Sequence, residues 1–110
     1  MTDVLVVFVT APSADRAAEL ARALVEERLA ACGNVVPGVR SIYRWEGEVV
    51  DEPEALLVLK TTRDRLDALR ERVLALHPYE VPEVLALPVE AGAERYLAWV
   101  HSETRPGPGR

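Results

Sequence analysis

The sequence has few of the residues from which catalytic and metal sites are most often built. Its 110 residues include one cysteine, Cys32, two histidines and three serines. One cysteine excludes an intrachain disulfide and is typical of a reducing compartment, so we expect a cytoplasmic protein. The sequence also lacks the His-Glu-x-x-His zinc motif, a Gly-rich phosphate-binding loop and the Gly-x-Ser-x-Gly nucleophile turn. We therefore expect neither a catalytic centre of these classes nor a closed structural zinc site.

Positive charge and long apolar runs are scarce as well. The chain has 13 basic and 18 acidic residues, which gives a net charge of −5. Binding to nucleic acid needs clustered Lys and Arg, whereas the arginines here alternate with carboxylates. The apolar run over residues 4–9 is far shorter than the ~20 residues that a membrane-spanning helix needs. We therefore expect neither a nucleic-acid partner nor a membrane partner.

The residues that are present are typical of one small globular domain. Hydrophobic residues make up 49% of the chain and charged residues 28%, a balance that argues against intrinsic disorder. The length suits a single domain, which we predict over residues 1–103. The last six residues, 105–110, are rich in proline and glycine and have nothing to bury. Residues 104–110 are therefore predicted to form a flexible tail.

Hydrophobic periodicity predicts two similar strand–helix–strand units followed by a last helix. Ser13 is a candidate cap for the first helix and Thr62 for the second, while Gly33 is a candidate stop for the first helix. Pro37 and Pro53 predict edges or bulges in the strands that contain them. The predicted strands cover residues 4–9, 35–45, 49–61 and 83–89, and the predicted helices cover residues 14–31, 63–77 and 93–102.

Two such units joined by a hairpin favour an α+β, ferredoxin-like fold of the split βαβ type. In this βαββαβ arrangement, an antiparallel four-stranded sheet carries two helices on one face. The additional C-terminal helix presents Tyr96, Leu97 and Val100 on one side. This apolar side must pack against the open face of the sheet or against a neighbouring subunit.

Three stretches of the sequence carry more specific information when they are taken together. They are Ala30-Ala31-Cys32 followed by Tyr43-Arg44-Trp45-Glu46-Gly47, then Leu59-Lys60-Thr61, then His77-Pro78-Tyr79-Glu80-Val81-Pro82-Glu83. In this order and spacing they strongly resemble the CutA divalent-cation tolerance family, over a region from about Val4 to Trp99. The resemblance implies a ferredoxin-like fold, a PII-like homotrimer, and tolerance to divalent metal ions, copper above all. It implies no catalysed reaction.

The resemblance also indicates which positions of this sequence correspond to the copper ligands proposed in the family. Where copper ligands are proposed in the family, a cysteine lies at the position of Val9, and two histidines lie at the positions of Leu76 and His77. A single imidazole does not make a tight transition-metal site. We therefore expect copper or another divalent cation as a weakly bound ligand, with no tightly bound cofactor.

His77 and Cys32 are the candidate metal ligands, and each has a structural alternative. His77 ends a predicted helix, where a histidine can cap the last carbonyls instead of binding a metal. Cys32 follows two alanines, and it can be a small buried side chain instead of a reactive or metal-binding thiolate.

Further residues are predicted to line a cleft between subunits, or alternatively to pack the subunit interface. Tyr43 and Trp45 share one strand face, and Lys60 lies at a β-to-α turn, where functional residues are frequent. A cleft that binds a small molecule would make the protein a PII-like regulatory module. A small enzyme with His77 as general base and Lys60 as electrostatic stabiliser is a third hypothesis. The predicted cleft residues are Tyr43, Trp45, Lys60, Tyr79 and Glu80.

Acidic residues cluster around the predicted hairpin. Hard divalent cations prefer such oxygen ligands. The same residues can instead protect a solvated edge from pairing with other chains. The cluster consists of Glu46, Glu48, Asp51, Glu52 and Glu54.

Overall fold

The computed structural model describes residues 2–106, so positions 107–110 of the predicted tail lie outside the described residues. The strands are β1 (Val4–Ala11), β2 (Cys32–Trp45), β3 (Glu48–Thr62) and β4 (Leu85–Pro88). The helices are α1 (Ala14–Glu26), α2 (Leu66–Leu76), which follows a short 3-10 turn over Arg63–Arg65, and α3 (Glu94–Glu103). Within residues 2–106, no helix has the length and apolar character needed to cross a membrane.

The strands form one antiparallel sheet in the order β2-β3-β1-β4. β1 lies at the centre, with Val4 opposite Thr62 and Ala11 opposite Ala55 of β3. On its other side, β1 pairs with β4. This strand order is that of the split βαβ, ferredoxin-like arrangement, so the predicted fold class is confirmed. Among residues 2–106, β2 and β4 each keep one edge without a neighbouring strand in the sheet.

Alternation along the strands places one face of the sheet under α1 and α2. On that face, Val7, Val9, Leu57 and Leu59 are fully buried. They form a single core cluster with the apolar sides of α1 and α2. Successive strand residues point to opposite faces, so the intervening residues lie on the face that these two helices leave uncovered.

α3 packs at the end of the sheet where β1 begins. Val100 of α3 is fully buried and forms a second small cluster with Val4 and Ala31. Leu97 packs against this cluster, as the predicted apolar side of the helix requires. Tyr96 remains substantially exposed at the margin of the open face.

Two local predictions are confirmed in detail. The hydroxyl of Ser13 accepts a hydrogen bond from the backbone N–H of Arg16 at 3.1 Å, which caps α1. The register between β2 and β3 shifts between Val36 and Val39, where the Pro-Gly pair predicts a bulge.

α1 ends earlier than the sequence predicts, at Glu26 instead of near residue 31. Arg28 has a left-handed backbone, with φ of 59°, and the N–H of Leu29 donates to the carbonyl of Leu24 at 2.9 Å. These features form a Schellman cap, whose left-handed position is usually glycine. The prediction that Gly33 marks the end of this helix is therefore wrong. The left-handed residue is Arg28, and an arginine, unlike a glycine, does not indicate a helix end in the sequence.

The end of β3 is tied to the end of α3 by a cluster that we call the C-terminal latch (Thr62, Asp64, Thr104 and Arg105). Thr62, the predicted cap of the second helix, instead donates its hydroxyl to Asp64 Oδ1 at 2.7 Å. Arg105 donates to the two oxygens of the same carboxylate, at 2.6 and 2.8 Å. Thr104 is fully buried, with its hydroxyl 3.2 Å from that of Thr62. These contacts correct the predicted start of the tail, because Thr104 and Arg105 are held by packing and an ion pair.

β2 and β3 extend past the rest of the sheet as a hairpin arm (residues 39–54). Among the described residues, the arm's strands pair with each other alone, because β1 ends opposite Ala55. Glu46 and Gly47 at the tip have φ of 49° and 81°, typical of a type I′ turn. Pro53 lies in this arm, where β3 has a single neighbouring strand, as the prediction of an edge requires. The longest dimension of the molecule is 46 Å.

Candidate functional site

An open groove of about 680 Å³ lies between the hairpin arm and the loop that follows α2. From the arm, Tyr43 and Trp45 line the groove; from the loop, Tyr79 and Glu80 do so. Its volume falls in the range of sites that bind small molecules. The structure therefore brings together four of the five residues predicted for the cleft.

Two tyrosines orient two carboxylates in the groove. The hydroxyl of Tyr43 donates to Glu52 Oε1 at 2.6 Å, and that of Tyr79 donates to Glu54 Oε2 at 2.6 Å. The hydrogen bond to Glu52 raises the pKa of Tyr43, while burial and the bond to Glu54 raise the pKa of Tyr79. Burial and the nearby Glu54 also raise the pKa of Glu83. The phenols therefore stay protonated at neutral pH, and the groove has a negative potential.

His77 is buried beneath the loop that lines the groove. Its Nε2 lies 2.7 Å from the carbonyl oxygen of Thr10, and the backbone N–H of Tyr79 donates to Nδ1 at 3.1 Å. A neutral imidazole with its proton on Nε2 satisfies both bonds, and neither nitrogen then has a lone pair for a metal. His77 is the C-cap residue of α2, yet its ring binds β1 and the loop instead of the last helical carbonyls. A metal role for His77 would require one of these hydrogen bonds to break.

Cys32 and Lys60 lie directly opposite each other on β2 and β3, at the other end of the open face. The Sγ atom of Cys32 is 3.5 Å from the hydroxyl oxygen of Tyr96, and this hydrogen bond raises the pKa of Tyr96 to about 12. Lys60 Nζ donates to Oδ1 of Asn34. Cys32 is half-buried, so it is neither a core residue nor a fully exposed thiol.

The two ends of the open face do not form one site within the chain. Lys60 lies opposite Val6 of β1, whereas His77 contacts Thr10, four residues further along the same strand. At about 3.3 Å per residue, these positions are roughly 13 Å apart. Lys60 and Cys32 are therefore remote from the groove and from His77. A site that combined all of these residues would need contributions from more than one chain.

A preformed metal centre is not found in the described part of the chain. Within residues 2–106, no group of three or more His, Cys, Asp or Glu side chains is placed to hold a metal ion. Val9, which lies at the position of the family's cysteine, is fully buried beneath the helices. Of the two predicted metal ligands, Cys32 could contribute a thiol, and His77 could contribute an imidazole after release of a hydrogen bond.

Several residues of the groove were not predicted from the sequence as parts of the cleft. Thr10 and Glu83 line it, and so do Glu52 and Glu54, which belong to the acidic cluster predicted either to bind hard cations or to protect a solvated edge. The spacing of Glu52 and Glu54 contains a usable signal, because residues two apart on a strand share a face. Glu83 had no such signal, since its position depends on how the loop after α2 folds back.

Comparisons with known proteins agree with this architecture. The family model described as CutA1 divalent ion tolerance protein matches residues 5–103. The divalent-cation tolerance protein CutA of Thermus thermophilus is 57% identical over 99 residues, which span 90% of this chain and 96% of that protein. The chloroplastic protein CutA of Arabidopsis thaliana is 48% identical over 101 residues, which span 92% of this chain and 56% of the plant protein.

Solved structures match over nearly the whole chain. The divalent cation tolerance protein Cut A1 from Thermus thermophilus has a TM-score of 0.90 and 55% identity, covering 93% of this chain and 99% of its own. CutA from Xylella fastidiosa has a TM-score of 0.92 and 40% identity, covering 94% of this chain and 100% of its own. The strand order and helix placement described above are therefore shared with experimentally determined folds.

Proposed function

Because this chain belongs to the CutA1 divalent ion tolerance family, we propose that it acts in divalent-cation tolerance as a cytoplasmic homotrimer that binds copper or another divalent cation weakly. The family match over residues 5–103 carries the tolerance role. The cytoplasmic assignment rests on the single cysteine, which suits a reducing compartment.

The uncovered face of the sheet supports the assembly. Leu85 and Leu87 of β4 are 57% and 45% exposed there, and Phe8 and Val58 beside them are only partly buried. Contiguous exposed apolar surface of this kind marks an interaction site. In the part of the chain that the structure describes, the outer edges of β2 and β4 have no neighbouring strand, so their backbone groups can pair with strands of another copy. Copies arranged around a closed rotation axis would cover both features, and the number three follows from the family resemblance.

The scarcity of ligands supports weak metal binding. Cys32 offers a thiol that suits copper, and His77 offers an imidazole once a hydrogen bond to Thr10 or Tyr79 is released. Within one chain these two side chains are too far apart to share a metal ion. A metal held by one or two side chains per subunit binds more weakly than one in a complete tetrahedral or square-planar site.

Calorimetric titration of metal-free protein with Cu²⁺ and with Zn²⁺ tests this proposal, with light scattering on the same samples. We expect a trimer that binds Cu²⁺ at micromolar concentrations, with weaker binding in Cys32→Ser and in His77→Ala. His101→Ala, in the exposed histidine of α3, is the control and should bind as the wild type does. No heat at tens of micromolar metal with an intact trimer would exclude direct metal binding. A single-chain mass would exclude the assembly.

A second candidate function is a PII-like regulatory module that binds a small molecule at the cleft between subunits. The groove between the arm and the loop after α2 favours it, because Trp45, Tyr43 and Tyr79 line a volume of small-molecule size. In a Trp99→Phe background, Trp45 fluorescence should respond to a bound metabolite. Fluorescence that is unchanged across a broad metabolite panel would argue against this function.

A further inference from the structure

The groove has aromatic walls and a single sign of charge. Among residues 2–106, its lining includes Glu52, Glu54, Glu80 and Glu83 and no lysine, arginine or histidine. Within the same part of the chain, none of these four carboxylates forms a salt bridge. We propose that the groove binds a small organic cation with an ammonium or guanidinium group. This inference rests on the second candidate function, and it names the class of small molecule that the cleft would bind.

The aromatic side chains favour an organic cation over a bare metal ion. Tyr43 and Trp45 of β2 are about two-fifths exposed, at 40% and 41%, and Tyr79 lies across the groove from them. Ammonium and guanidinium groups are attracted to the faces of such rings, and a planar guanidinium also stacks on them. A hard divalent cation gains nothing from aromatic walls and needs several converging oxygen ligands.

The hydrogen bonds of the tyrosines leave acceptor capacity for a ligand. Tyr43 engages Oε1 of Glu52, and Tyr79 engages Oε2 of Glu54. The second oxygen of each carboxylate is not used by these bonds, and the phenols fix the orientation of both carboxylates. Hydrogen bonds from a charged N–H group to an oriented carboxylate are among the stronger ones in proteins.

The electrostatics of the groove also favour a cation. Glu83 has a raised pKa because desolvation disfavours its charged form and because Glu54 is nearby. A bound cation stabilises the ionised form of Glu83 and lowers its pKa, so binding should release protons near the pH at which Glu83 titrates. An anionic ligand such as a nucleotide would meet four carboxylates without a compensating basic side chain among the described residues.

Agmatine, which carries a guanidinium and an ammonium group, is the probe for the test. We expect calorimetric titration of the trimer to show saturable binding of agmatine. Glu52→Gln/Glu54→Gln should weaken it about tenfold or more, because two charge-assisted acceptors are lost. The matched control is Glu26→Gln/Glu71→Gln, which makes the same change in net charge at exposed positions of α1 and α2. 4-Guanidinobutanoate, with a carboxylate in place of the ammonium, should bind much more weakly than agmatine.

Each alternative result overturns the proposal in a recognisable way. Equal weakening by the control pair would indicate unspecific attraction to a negatively charged protein. Binding that survives Glu52→Gln/Glu54→Gln would place the cation elsewhere. A trimer that dissociates as agmatine is added would indicate that a basic side chain of a second copy occupies the groove. An intact trimer that binds no agmatine would refute the organic cation and leave the tolerance role and the assembly standing.

Discussion

The two faces of the sheet are formed by the same strands but lie in different environments. Under α1 and α2, Leu57 and Leu59 are fully buried, whereas Leu56 and Val58, their neighbours on β3, are only partly buried on the other face. The strand residues are equally apolar, so the difference comes from what packs on each side. One chain completes the covered face by itself, and the open face is suited to a second copy.

The chemically distinctive side chains also lie on or beside the open face. The groove with Tyr43 and Trp45 occupies one end, and the Cys32–Tyr96 contact with Lys60 occupies the other. The proposed association and the proposed ligand binding therefore concern the same surface. The core under α1 and α2 stabilises the fold on which both the association and the ligand binding depend.

A charge on the open face is expected to have the largest effect. Leu85→Asp would bury an unpaired carboxylate against a neighbouring copy, at a cost of several kcal/mol per ion. We expect light scattering to show a threefold fall in mass. Leu74→Asp is the control, because Leu74 is 53% exposed on the outer side of α2. A variant of Leu85 that keeps the wild-type mass would show that this face is not the interface.

A cavity under the helices is expected to have the next largest effect. Leu57→Ala should lower the free energy of unfolding by about 2–5 kcal/mol, because the lost methyl groups leave a space that the core fills only in part. Denaturant unfolding measures this change, and Leu74→Ala should cost less than about 1 kcal/mol. Similar losses in the two variants would contradict the distinction between a complete core and an exposed surface.

The C-terminal latch is expected to contribute least, and its contribution should depend on pH. The Arg105 guanidinium, with help from the Thr62 hydroxyl, holds the pKa of Asp64 well below its usual range. The ionised carboxylate therefore stabilises the fold above about pH 4, and this stabilisation is lost as the pH falls through the depressed pKa. Because both side chains are partly exposed, Arg105→Ala should cost at most about 1 kcal/mol at pH 7.

Unfolding of wild type and Arg105→Ala at pH 7 and at pH 3 tests the latch. The difference in the free energy of unfolding between the two proteins should shrink at the lower pH. Arg70→Ala, which removes an exposed pair with Asp67 on α2, should show a smaller effect at pH 7. A difference for Arg105→Ala that stays constant with pH would mean that the ion pair does not contribute.

Much of the fold follows from local sequence patterns. The apolar runs within residues 4–9 and 55–60 and the helical spacing of α1 and α2 predict the element order, and Ser13 correctly marks a helix start. The end of α1 does not follow, because Arg28 adopts a left-handed backbone without the glycine that usually signals it. The anchoring of Thr104 and Arg105 does not follow either, since their partners lie about 40 residues earlier in the chain.

The candidate site was predictable only in part. Strand parity places Tyr43 and Trp45 on one face, and the motif after α2 points to Tyr79. Whether Lys60 lies in the groove depends on its position along β3. In the structure Lys60 lies opposite Val6, about four strand residues from Thr10 in the groove.

The sequence by itself determined the element types, the tip of the hairpin, the absence of a disulfide and the family, because these depend on local spacing and composition. The tertiary structure decided which side chains meet. His77 binds the carbonyl of Thr10, 67 positions away, and Tyr79 binds Glu54, 25 positions away. It also decided which apolar face stays open. Contacts of this kind depend on how strands and helices pack, and the burial of apolar area favours one packing of the whole chain instead of acting residue by residue.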